Sequence, residues 1–170
     1  MAAGSTYTPI ATTTLGSTAS SYTFSSIPST YTDLVLVSNV ATTVNGKDLA
    51  VQFNGDTGTN YSRTVLTGDS TTATSVRATT QAYMFLDYNG AISTTLGNNN
   101  CITQIMNYSN STTYKTVLSR SNNAGTGFGV DANVGLWRST AAITSMTIIA
   151  TTSGVFATGS TFTLYGIAAA

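Results

Sequence analysis

The stretch DLAVQFNGDTGTNYSRTVL, residues 48–66, decides the fold class. Leu49, Val51 and Phe53 recur at every second position while Asp48, Ala50 and Gln52 fall between them, so the apolar set shares one face of a half-buried strand. The run stops at Asn54-Gly55-Asp56, with Gly58 and Asn60 close behind. That is turn chemistry: glycine and asparagine reach positive φ at little cost, and aspartate bonds nearby backbone. An extended run resumes in YSRTVL.

The same alternation recurs along most of the chain. SSYTFSS places Tyr22 and Phe24 on one face, and TDLVLVSNV is apolar on both faces, which predicts a central strand covered on both sides. PIATTTL, SVRATTQAYMFLDY, CITQIMNYS, YKTVLSRS, GVDANVGLWRS, ITSMTIIATT and STFTLYGI are further strand candidates. Turn clusters such as VNGKD, TGDSTT, DYNGAI, GNNNC and SNNAGTG separate them at the spacing of a sandwich or barrel. No segment carries the 3.6-residue period of an amphipathic helix, and Glu is absent. The expectation is an all-β, jelly-roll-like β-sandwich of eight to ten strands over residues 9–170, preceded by a flexible arm at residues 1–8.

Composition agrees. The chain has 170 residues, enough for one domain with a real core. Charged residues make up only 7%, whereas 35 Thr and 20 Ser supply polarity through hydroxyls, and β-branched Thr suits a pleated surface. The net charge is zero and no basic run occurs, which argues against a nucleic-acid partner. A surface without net charge repels its own copies weakly and suits an assembled protein. No apolar run approaches bilayer length, so no membrane partner is expected, and the N-terminus does not read as a secretion signal.

The residue inventory closes most catalytic routes. Without His there is no Ser-His-Asp triad, no G-x-S-x-G elbow is present, and the single Cys101 can form neither an intrachain disulfide nor a zinc site; it reads as a small buried side chain. Acid–base work would fall to six aspartates, of which Asp48, Asp56, Asp69 and Asp87 sit at or beside glycine-bearing turns. Two aspartates on different strands could still form the carboxylate pair of a glycosidase. Gly127-x-Gly129-x-x-Ala132 matches a relaxed dinucleotide fingerprint but runs on into strand-like sequence, and so reads as a glycine-rich hairpin. NGKD, residues 45–48, lacks the Ser or Thr of a phosphate loop. Asn54, Asp56 and Asn60 alternate like calcium ligands, but no glutamate closes the loop, so they are weak metal candidates and no cofactor is expected. Sequons at Asn60, Asn107 and Asn110 carry no weight without a secretory route. Tyr61, Tyr83, Phe85, Tyr88, Trp137 and Tyr165 could stack on sugars, though aromatics on strands more often pack in cores.

Four blocks in order, TTTLGSTASSYTFSSIPSTYTDLVLV, VQFNGDTGTNYSRTVL, GLWRSTAAITSMTI and FATGSTFTLYGI, resemble a family of tailed-bacteriophage virion proteins, frequent among phages of cyanobacteria. The likeness runs from about residue 9 to residue 167. It implies a β-sandwich structural protein without catalytic activity. Within that class it is most like a capsid decoration, or cement, protein: a homotrimer on the outside of the head that fastens subunits of the major capsid protein. The alternative it leaves is a tail-fibre or adaptor module whose LGNNNC and SNNAGTG loops bind host-surface glycan.

Overall fold

Alternating residues make strands here because one face of each can be buried and the other can stay wet. The computed structural model describes residues 6–125 and 129–168, and among them there are twelve strands and no helix. They are β1 (Tyr7–Thr14), β2 (Ser21–Phe24), β3 (Asp33–Val40), β4 (Lys47–Phe53), β5 (Tyr61–Gly68), β6 (Ala73–Gln81), β7 (Met84–Ile92), β8 (Asn99–Met106), β9 (Lys115–Asn123), β10 (Gly129–Trp137), β11 (Met146–Ala150) and β12 (Thr161–Ile167). Every pairing between them is antiparallel.

Two sheets result. The larger has eight strands in the order β1-β12-β3-β8-β9-β10-β5-β6, and the smaller has four in the order β2-β11-β4-β7. Their inner faces pack as a β-sandwich, with Leu34, Leu36, Leu49, Val51, Phe53, Ile148, Phe162 and Leu164 wholly buried between them. Ring stacking joins the sheets: Tyr22 of β2 lies parallel to Phe162 of β12 at 5.7 Å. The strand TDLVLVSNV is central, as expected, between β12 and β8.

The strand order separates into a frame and an addition. The segments β1-β12-β3-β8 and β2-β11-β4-β7 form two four-stranded layers; β5–β6 and β9–β10 are hairpins inserted in the chain. The two hairpins pair with each other through β10 and β5, and together extend the larger sheet beyond β8. Strand β7 is the end strand of the smaller sheet and lies across the inner side of this extension.

Several expectations are corrected. SVRATTQAYMFLDY is two strands in different sheets, parted near Ala82 and Tyr83, because β6 and β7 pack on opposite layers. The expected turn at DYNGAI is not one: β7 runs through to Ile92. Asn99 and Asn100 of GNNNC begin β8, and Asn122 and Asn123 of SNNAGTG end β9. Asparagine clusters had suggested turns, but here cross-strand partners hold them extended: Asn99 faces Asn123 and Asn100 faces Asn122. Of the expected arm, residues 1–5 lie outside the described residues, while Tyr7 and Thr8 pair with Ile167 and Gly166. Residues 126–128 of the glycine-rich hairpin and residues 169–170 of the closing tail also lie outside the described residues.

Candidate functional site

The metal candidates occupy the crossing from β4 to β5. Asn54 (φ 53°) and Gly55 (φ 69°) both adopt positive φ, and the Asp56 N–H donates to the Phe53 carbonyl at 2.9 Å. This closes a two-residue turn of the type that favours Asn-Gly. The Asp56 carboxylate then collects donors: the Trp137 indole N–H at 2.7 Å, the Asn60 amide at 2.9 Å and the Gly58 N–H at 2.9 Å. Partial burial alone would raise its pKa; these three hydrogen bonds outweigh that and hold it below the usual carboxylate value. Tyr61 completes the knot, its hydroxyl accepting from the Phe53 N–H and donating to the Asp56 carbonyl, and burial pushes its pKa up to about 12.

Asn54 does not join Asp56 and Asn60. Its Oδ1 accepts from the Thr144 and Ser145 N–H groups at 2.8 and 3.1 Å, and its Nδ2 donates to the Ala142 carbonyl at 2.8 Å. The three residues therefore face protein groups and tie the turn to the segment between β10 and β11. The decisive partner, Trp137, is 81 positions from Asp56, and nothing in the local sequence signals it. No cluster of three or more Cys and Asp side chains suited to a metal ion occurs among the described residues.

The other aspartates divide. Asp69 sits in the β5–β6 turn and accepts from the Thr71 and Thr72 N–H groups, which lower its pKa to about 2. Asp48 is the second residue of β4, beside the bend at Gly46, whereas Asp87 lies inside β7, contrary to the turn reading. The placement of Asp87 follows from a bulge. Val51 faces Met84 and Ala50 faces Phe85, yet Leu49 faces Asp87 where regular pairing would bring Leu86. The extra residue turns Asp87 to the interior side that Leu49 shares.

Asp87 enters a polar seam between β7 and the extension. The free edge of β7 would leave buried backbone groups unpaired. Side chains of the larger sheet satisfy them: the Leu86 carbonyl accepts from Ser119 Oγ at 2.8 Å and Asn133 Nδ2 at 3.2 Å, and the Tyr88 N–H donates to Asp131 Oδ2 at 2.8 Å. Ser121 donates to Asp87 at 2.9 Å, and the Asp131 carboxyl group is its neighbour in the seam. Burial, then repulsion from Asp131 and Asp48, holds the Asp87 pKa well above the usual carboxylate range despite the Ser121 bond. Cys101 lies in the same seam, 3.1 Å from Ser119 Oγ; it is buried, as expected, but among hydroxyls, and burial raises its thiol to about 12. Asp87 and Asp131 are the two carboxyl groups that the seam brings together, and both are buried between the sheets.

The six proposed sugar-stacking aromatics do not form one face: Tyr83, Phe85 and Tyr88 come together, edge-on in series at 5.2 Å. Tyr61 and Trp137 are core residues, at 0% and 2% exposure. Phe85 and Tyr88 stack instead on Arg63, whose guanidinium lies 3.9 and 4.8 Å from the two ring centroids, and Tyr165 meets Tyr7 edge-on.

What sequence reasoning missed is the outer face of the extension and of β8 beside it. Leu66 on β5, Val130 and Val134 on β10, Leu118 on β9 and Ile102 and Met106 on β8 are all exposed there, Val130 to 58%. Register joins them across strands, with Val134 facing Leu118 and Ala132 facing Leu66. Shallow depressions run between these rows. Alternation alone marked these positions as the wet side of their strands, and only the pairing of the two hairpins brings them together. No known protein family and no curated protein matches the chain.

Proposed function

We propose that this protein is a non-enzymatic capsid decoration protein of a tailed bacteriophage, a homotrimer that binds the outside of the head and strengthens contacts between major capsid subunits. The observation that carries this reading is the contiguous apolar outer face of the two-hairpin extension. Solvated monomers rarely expose such a surface unless it meets a partner. The four-block resemblance supplies the kind of partner. The interior supports a structural role as well: Asp131 and Ser119 bond backbone groups of β7, and Asp56 bonds the Trp137 indole. The orders β1-β12-β3-β8 and β2-β11-β4-β7 support reading the frame as a jelly roll carrying two added hairpins. A rigid sandwich that binds only assembled capsid subunits would stabilise the shell by mass action. Electron microscopy of the virion tests the proposal: trimeric density of this fold on the head surface is the expected result, and density confined to the tail overturns it.

A further inference from the structure

We infer that the outer face of the extension (β9, β10, β5 and β6), continued onto β8 of the frame, docks a different protein whose matching surface is apolar with carboxylates placed opposite Arg77 and Arg120. This deepens the decoration reading and rests on it. The charge pattern commits the occupant. Arg120 lies beside Ile102 and Ala132 in register, and Arg77 lies beside Thr64; both point outward. The only acidic residue in these five strands is Asp131, and it is turned inward to Tyr88. The face therefore mixes exposed apolar side chains with neutral polar ones such as Thr64, Thr116 and Asn122, and the only charges on its strands that point outward are cationic.

A second copy presenting the same face would set arginine against a surface with no carboxylate. Carboxylates elsewhere on the chain already hold protein partners. Asp33, Asp56 and Asp69 are each held by backbone N–H groups, at Asn107, Gly58 and Thr71, and Asp48 accepts from Thr151. Five strands about 4.8 Å apart and about eight residues long give roughly 600 Å² of face. That is close to the roughly 800 Å² per partner of a standard interface, and enough for one specific docking event. The apolar rows supply affinity, and the two arginines supply register and rate.

The test uses the intact protein and heads of its phage assembled without it, with binding read by co-sedimentation across a salt series. Wild type is expected to bind, and the double variant Arg77→Glu/Arg120→Glu to lose on the order of tenfold or more in affinity. Arg77→Lys/Arg120→Lys should keep most of the binding. A Val134→Asp variant should also lose binding. These side chains are exposed, so thermal unfolding should show all variants folded. Equal binding by wild type and both Glu and Asp variants overturns the docking surface while leaving the decoration reading in place. Failure of wild type to bind heads overturns the decoration reading itself. A change in oligomeric state of Val134→Asp, seen by sedimentation velocity, would make this face a contact between copies and overturn the inference.

Discussion

Trp137 donates its indole N–H to the Asp56 carboxylate at 2.7 Å, and this bond ties the β4–β5 crossing to the end of β10. Trp137 is also packed against Phe53 and Tyr61, at ring distances of 5.5 and 6.3 Å, so one side chain serves the core and the turn together. Replacing Trp137 by Phe keeps most of the packing and removes the donor. The expected loss is about 1–2 kcal/mol, since a hydrogen bond to a charged acceptor is lost but Asn60 and Gly58 remain. Trp137→Ala should cost more, about 3–5 kcal/mol, by leaving a cavity. Urea unfolding measures both.

Asp87 makes stability fall as the solution becomes more alkaline. Its folded pKa is raised above the unfolded value, so through the window between the two the folded state binds the extra proton. Stability is greatest below that window, declines as pH rises through it, and levels off once Asp87 is ionised beside Asp131 and Asp48. Asp87→Asn supplies the same neutral partner at every pH. It should flatten the decline and raise the melting temperature at neutral and alkaline pH, as thermal scans from about pH 4 to about pH 9 would show. Persistence of the full slope in Asp87→Asn would assign the effect to another group.

Asp56 works in the opposite sense. Its folded pKa is depressed, so its contribution is present above the unfolded value and is lost as pH falls through the folded one. Asp56→Asn should remove part of the acid sensitivity of wild type below about pH 4 while lowering stability at neutral pH. The same scans, extended downwards, provide the measurement.

Cys101 should be inert in the native protein. Its thiol is buried and raised to about 12, which leaves almost no thiolate at neutral pH. A thiol reagent should label it only as fast as the sandwich opens, and rapidly in denaturant. Cys101→Ser should be well tolerated, because Thr103 and Ser119 already form a hydroxyl pair at 2.9 Å beside it. Fast labelling under native conditions would show that the seam between β7 and the extension opens locally.

Gly129 holds the two added hairpins together. It has φ 77°, and a Cβ there would come within 1.9 Å of the Gly68 carbonyl oxygen on β5. Gly129→Ala should therefore destabilise by about 1–3 kcal/mol, combining left-handed strain with a backbone clash. Gly16→Ala, where nothing lies within 4 Å, is the control and should change stability little. If the extension is the docking element, Gly129→Ala should also weaken binding to heads.

The all-β class, the central place of LVLV and the turn at NGDTGTN were all legible in the sequence. Those properties depend on period-two burial and on the φ preferences of single residues, which act over a few positions. The sequence also made a charge-poor, hydroxyl-rich protein legible before any contact was known. Only the tertiary structure decided that SVRATTQAYMFLDY is divided between two sheets, that a bulge turns Asp87 inward beside Asp131, and that Asp56 belongs to Trp137. The outer face of Leu66, Leu118 and Val134 exists only because β5 pairs with β10. Strand pairing joins residues far apart in the chain, and alternation says which residues share a face but not which strand lies beside which.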